Sequence, residues 1–452
     1  MRQKTFILGV LVAFAAFLSS CIHDPSPDAF LVPEFGTVTI DESVPGAVEF
    51  SCQVTSMSQL SEFGVYSSNN TGSQAAPDKT PGVRTSQDAF KVRLDGLMGG
   101  TKYSCRFYVG NGRVERLSEP ITYSAPDNGS GRNPMVLRVR PAADGKVYLP
   151  LRGSVKCVVD WGDGNREACT GEYGNGTIAG GYISHSYSAA DNYEVSISGT
   201  VTALSSYGLP NADCICEVLD WGDTGLKDLS CAFQDQMSLE GLAAPGNDTF
   251  AGVFSFRNAF SGTAIMSLPQ GFFSSCPPGC DYARVCFGCK ALETLPDLLF
   301  PSAESLQQCF KGCSSLRELP SRLVASGSSL RELQETFADC TSLTRLPETL
   351  LKGCSGLGRL VSVFAGCTSL SELPTALFDD CRSLNVTEGA FMNCTSLAGE
   401  SPFTIIDGEK VHLYERSAHP EHFAPVSKYI LCFYACTGLS DYKDMPVAWK
   451  SF

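Results

Sequence analysis

The stretch FAGCTSLSELP, Phe364 to Pro374, decides how this chain is read, because it recurs. Phe337 to Pro347 reads FADCTSLTRLP, Phe310 to Pro320 reads FKGCSSLRELP, and Phe391 to Leu397 reads FMNCTSL. With the cysteine position as register, the copies fall at Gln236, Thr263, Cys289, Cys313, Cys340, Cys367, Cys394 and Cys436, in steps of 27, 26, 24, 27, 27, 27 and 42 residues. The last, longer step contains an insertion. An apolar residue returns three positions later, at Leu239, Met266, Leu292, Leu316, Leu343, Leu370, Leu397 and Leu439. A phenylalanine returns three positions earlier, at Phe233, Phe260, Phe310, Phe337, Phe364, Phe391 and Phe433, with Cys286 in its place in the third copy. One copy cannot bury its own apolar face, but stacked copies can.

Leucines at fixed offsets, with a period in the range of roughly 20–29 residues, give the expectation of a leucine-rich repeat solenoid over 215–452. In it S-L-x-x-L-P forms a short parallel strand. Proline ends the strand because it lacks the ladder N–H, and the rest of each copy makes helical or irregular turns. The whole chain is then multidomain, two all-β sandwiches followed by the solenoid. The repeat resembles that of the bacterial-surface-antigen-A-like family, whose members share an A-F-x-G-C-x-x-L core and are mostly surface proteins. The lead-in Leu219–Asp223 and the terminal DMPVAW are expected to cap it. The variable strand positions Glu293, Thr294, Arg317, Glu318, Thr344, Arg345, Ser371 and Glu372 would line its binding face.

The N-terminus sets the compartment. Arg2 and Lys4 precede an apolar run, Phe6 to Leu18, too short for a comfortable membrane span, and then Leu18-Ser19-Ser20-Cys21. This resembles the bacterial lipobox and implies a signal peptide over 1–20, lipidation of Cys21, and a polar tether over 21–32. The expected location is the outer membrane or cell surface, with the lipid as membrane anchor. A net charge of −14 argues against nucleic acid as a partner.

Residues 33–126 alternate apolar and polar residues between turn signals, the pattern of a β-sandwich. The run Leu94, Leu97, Gly100, Thr101, Tyr103 resembles the fibronectin type III signature before the penultimate strand. Cys52 and Cys105 fall on strands that an immunoglobulin domain joins by a disulfide; a bridge between them and two buried thiols are both open. In 134–205, Asp160-Trp161-Gly162-Asp163-Gly164 followed by His185-Ser186-Tyr187 resembles the polycystic-kidney-disease (PKD)-type sandwich. Two aspartates are too few oxygens for calcium, and Asp-Gly is a hairpin turn pair.

Cysteine pairs such as Cys276 with Cys280 and Cys286 with Cys289 have zinc-ligand spacing. They also fit the repeat rhythm, which favours a disulfide within 276–289 or buried thiols acting as small hydrophobes. His412, His419 and His422 in the insertion read as metal ligands or as a surface loop or small hairpin. No nucleophile elbow, phosphate loop or zincin motif is present. The expectation is a protein that is not an enzyme, has no cofactor and no metal, and adheres to a host or bacterial surface protein. The alternative is a glycan-binding or glycan-utilisation accessory lipoprotein.

Overall fold

A computed structural model describes residues 4–6, 33–42, 47–69, 77–95, 97, 101–125, 133–173, 182–210, 213–325 and 329–451. Cys21 and the tether 21–32 lie outside the described residues. Two compact units are formed. One holds the described residues up to 125 with Lys156–Asp160 and Asn165–Thr170, and the other holds the remainder.

The strands up to residue 125 are β1 (Lys4–Phe6), β2 (Phe35–Asp41), β3 (Val48–Val54), β4 (Glu62–Asn69), β5 (Asp78–Pro81), β6 (Val83–Ser86), β7 (Ala89–Leu94), β8 (Lys102–Gly110), β9 (Glu115–Leu117) and β10 (Ile121–Ser124). β1, in the stretch read as signal peptide, pairs with β2. The sheets run β1-β2-β3-β7-β6 and β10-β8-β4-β5, with β9 on β8. Period-2 alternation sends Val48, Phe50, Cys52 and Val54 inward from β3, and Phe90, Val92 and Leu94 from β7. They share one core with Val65, Cys105 and Phe107 of the second sheet. Phe50 packs edge-on to Phe107 at 5.5 Å and to Tyr123 at 5.6 Å. Cys52 and Cys105 are free thiols in this core.

β11 (Met135–Val139), β12 (Lys146–Tyr148), β13 (Leu151–Asp160), β14 (Arg166–Tyr173), β15 (Ser184–Ser186), β16 (Tyr193–Leu204), β17 (Ile215–Asp220) and β18 (Gly241–Leu242) follow. Their main sheet runs β14-β13-β16-β11-β17-β18, and β12 pairs with β15. β17 is antiparallel to β11 and parallel to β18, so the sheet runs on into the first repeat.

The repeat departs from the fold expected for it. No leucine-rich repeat solenoid of short parallel strands forms. From 243 to 402 the described residues contain no strand. The S-L-x-x-L-P segments make one hydrogen bond per copy, as from Thr344 N to Arg317 O at 3.4 Å and from Ser371 N to Thr344 O at 3.1 Å. The main coil-to-coil bonding lies elsewhere. Leu306, Gln308, Phe310 and Gly312 donate their N–H groups to Glu332, Gln334, Thr336 and Ala338 of the next copy. Isolated parallel bridges Ser305–Glu332–Arg359–Val386–Lys428 mark the same rows. Between these donors the chain closes i→i−3 turns, such as Lys311 N to Gln308 O and Cys313 N to Phe310 O.

The physical reason is a pair of left-handed residues in each copy: 231 and 235, 258 and 262, 284 and 288, 308 and 312, 335 and 339, 362 and 366, 389 and 393, 431 and 435. Left-handed backbone folds a strand back on itself, so only alternate N–H groups reach the neighbour. Gly366 shows the constraint: it has φ 75°, and an added Cβ would lie 2.4 Å from Asp339 Oδ1.

The apolar rows meet the expectation that stacking buries them except at Met266, which is 56% exposed while Ile265 beside it is buried. Phe310, Phe337, Phe364, Phe391 and Phe433 stack at 5.5, 5.6, 5.6 and 5.4 Å. Because N–H groups point toward the next copy, the last copy would be left with unpaired donors. The closing helix α1 (Val447–Lys450) meets them: Leu431 N and Phe433 N donate to Ala448 O and Trp449 O. The insertion forms a hairpin of β19 (Phe403–Ile406) and β20 (Glu409–His412).

Candidate functional site

The sequence leaves zinc ligation, a disulfide and buried thiols open for the repeat cysteines. Each register thiol donates to a main-chain carbonyl of the preceding copy. Cys289 reaches Phe260 O at 2.9 Å, Cys313 reaches Cys286 O at 3.1 Å, Cys340 reaches Phe310 O at 3.2 Å, Cys367 reaches Phe337 O at 3.2 Å, Cys394 reaches Phe364 O at 3.1 Å and Cys436 reaches Phe391 O at 3.0 Å. A neighbouring row confirms that the position wants a donor. Ahead of the phenylalanine, Cys309 Sγ bonds Tyr282 O at 3.0 Å, and one copy on Thr336 Oγ1 bonds Leu306 O at 2.8 Å.

The first copy has strand β17 as its neighbour instead of another copy, and β17 offers N–H groups. Gln236 stands there, and its Oε1 accepts from Cys214 N and Ile215 N, both at 3.1 Å. Burial pushes the Cys340 thiol up to about 12, so it stays a protonated donor near neutrality and is neither nucleophile nor ligand. Among the described residues no group of His, Cys, Asp and Glu is placed to hold a metal ion.

A test follows from this donor role. Cys367→Ala is expected to cost about 1–2 kcal/mol in denaturant unfolding, and Cys367→Ser, which keeps a donor, less. If serine proved the worse replacement, the site would need only apolar volume.

The eight candidate face residues, Glu293, Thr294, Arg317, Glu318, Thr344, Arg345, Ser371 and Glu372, are all exposed. The leucines that flank them, such as Leu316 and Leu319, are buried. Arg345 pairs with Glu318 at 3.0 Å across two copies, an exposed contact worth little by itself. Together with Leu319, Leu346 and Pro347 that pair lines a shallow depression of about 300 Å³.

The DWGDG corner uses its aspartates internally. Asp160 accepts from Arg166 at 2.8 Å, and Asp163 contacts His185 Nε2 at 2.7 Å. His185 stacks on Trp161 at 5.0 Å, and the Tyr187 hydroxyl donates to Trp161 O at 2.8 Å. Gly162, at φ 77°, admits no side chain, since a Cβ would meet Glu194 O at 2.5 Å.

The three histidines of the insertion are not gathered. His412 is buried, while His419 and His422 each lie beside Glu421. His412 Nδ1 is 3.1 Å from Ser401 Oγ, and Nε2 is 3.3 Å from Glu400. The Ser401 hydroxyl donates to Asp441 of the final copy. Ser401 is fully buried and its hydroxyl donates a hydrogen bond to the Asp441 carboxylate, so the group fastens the insertion to the final copy. Arg416, also buried, donates to Phe378 O at 2.9 Å and Cys381 O at 3.3 Å, and lies over the Phe423 ring at 4.1 Å.

Sequence reasoning missed Gln236 as an acceptor, the Ser401–His412–Asp441 group and Arg416. Their partners are remote in the chain, and no local pattern marks them. Compared with family models, with curated proteins and with solved structures, the chain matches none.

Proposed function

We propose that the protein is a non-enzymatic, lipid-anchored surface protein that presents its repeat stack to a protein partner. The observation that supports this reading is the regular exposed row Glu293/Thr294, Arg317/Glu318, Thr344/Arg345 and Ser371/Glu372, set on a buried framework. Rigidly spaced polar pairs of both signs suit recognition of an extended polar protein surface. The anchor is the lipobox-like Cys21.

The expected outcome is twofold. Labelled palmitate enters the wild-type chain and is lost on Cys21→Ala. Capture of surface proteins from host mucosa or neighbouring bacteria drops at least several-fold on joint replacement of Arg317 and Arg345 by alanine. Equal capture by both forms would remove the face from consideration.

A second reading, a glycan-binding accessory lipoprotein, draws on the exposed Tyr182 and Tyr207. The tryptophans do not help it: Trp161, Trp221 and Trp449 are 1%, 1% and 3% exposed and cannot serve as sugar platforms. A glycan array separates the two readings.

A further inference from the structure

The register thiols of the repeat are committed to carbonyls; outside the repeat, two further cysteines face each other. Cys157 lies on β13 and Cys169 on β14, adjacent strands of one sheet joined through the DWGDG corner. Asp160 and Arg166, at the two ends of that connection, are paired at 2.8 Å. Cys157 lies three residues before Asp160 and Cys169 three after Arg166, as expected for facing positions of two strands joined by a short connection. The two thiols are in hydrogen-bond contact. Directly opposed residues of an antiparallel pair have Cα atoms roughly 4.5–5.5 Å apart, inside the roughly 4.4–6.8 Å range a disulfide spans. Both side chains are buried, 1% and 4% exposed, and both are free thiols. β14 is the edge strand of its sheet, so its fraying opens the pair without unfolding the core.

We propose that Cys157 and Cys169 are a thiol–disulfide site, which closes to a cross-strand disulfide by exchange with a small-molecule or protein disulfide. The inference does not depend on the partner proposed above.

One cysteine thiolate attacks a sulfur of the incoming disulfide, forming a mixed disulfide and expelling one thiolate. The second cysteine, as thiolate, attacks the protein sulfur of that mixed bond, closing Sγ–Sγ and expelling the second thiolate. Two protons and two electrons pass to the oxidant, which leaves as two thiols. The contact with Cys169, then burial, hold the Cys157 thiol well above its ordinary value. Closure is therefore slow at neutral pH. It accelerates about tenfold per pH unit below the thiol pKa, since the thiolate is the nucleophile.

The full chain, purified under reducing conditions, is incubated folded with glutathione disulfide. It is then quenched in acid, denatured, alkylated and read by peptide mass spectrometry. The expected result is that Cys157 and Cys169 lose alkylation in step and are recovered as one cross-linked peptide pair, lighter by two hydrogen atoms, while Cys340, Cys367 and Cys394 stay fully alkylated. Cys157→Ser should leave Cys169 trapped with glutathione. Complete alkylation of both residues after prolonged oxidation at mildly alkaline pH would overturn the proposal. So would separate glutathione adducts on the two residues in the unaltered chain.

Discussion

Phe364→Ala is expected to destabilise the repeat-containing unit by about 3–5 kcal/mol, measured as a shift of its transition in denaturant unfolding. The Phe364 ring is 1% exposed and sits between Phe337 and Phe391, 5.6 Å from each, with interplanar angles of 6° and 13°. Neighbouring copies hold those rings in place through hydrogen bonds such as Phe337 N to Val363 O and Phe364 N to Ala390 O, both 2.9 Å. The space left by alanine therefore cannot collapse, and the cavity adds to the lost transfer energy. Phe254→Ala is the control. Its ring is 57% exposed, and a change of no more than about 0.5 kcal/mol is expected. A loss below about 1 kcal/mol at Phe364 would mean that the phenylalanine row does not hold the copies together.

Trp221→Ala is expected to cost about as much, about 3–5 kcal/mol, and Trp221→Phe about 1–2 kcal/mol. The indole is 1% exposed and packs edge-on to Phe250 at 5.1 Å, Phe272 at 5.7 Å, Phe233 at 6.0 Å and Phe260 at 6.4 Å. Its Nε1–H donates to Ala243 O at 2.9 Å. Alanine loses both the packing and the donor, whereas phenylalanine loses chiefly the donor and part of the volume. Trp221 follows directly on β17, so it joins the sheet of the second module to the first repeats. One cooperative transition for the repeat-containing unit in the wild type, split into two in Trp221→Ala, would show that role directly. Similar stability of the alanine and phenylalanine variants would count against it.

Both residues were visible in the sequence, Phe364 as a rung of the register and Trp221 in the expected cap. The burial of the phenylalanine, cysteine and leucine rows was equally legible, because a period and a fixed offset are local facts. So was the exposure of the residues between the leucines. Half of the backbone geometry was present as well: the residue before each register position is Asp235, Gly262, Gly288, Gly312, Asp339, Gly366, Asn393 or Ala435, and nearly all are types that tolerate positive φ. Of the strands in 33–126, β3, β4 and β8 were legible through alternation between turn signals, whereas the uniformly exposed β6 and β9 carry no such pattern. The insertion read as a loop or a hairpin, and the structure resolves it as a hairpin tied down by residues far along the chain.

The sequence by itself determined that the copies repeat, which side chains they bury and which they leave exposed. Only the tertiary structure decided that the copies do not form parallel strands. The other left-handed position of each copy is held by residues such as Arg284, Gln308, Glu335 and Leu431, none of which prefers that conformation, at a cost of about 1–2 kcal/mol each. What offsets the cost is the row of N–H groups bonded to a copy about 26 residues away, as from Gln308 N to Gln334 O at 2.8 Å. The same non-local bonding gave the cysteines their part. A thiol is chosen where a carbonyl of the preceding copy lies within reach, and glutamine where a strand offers N–H groups instead.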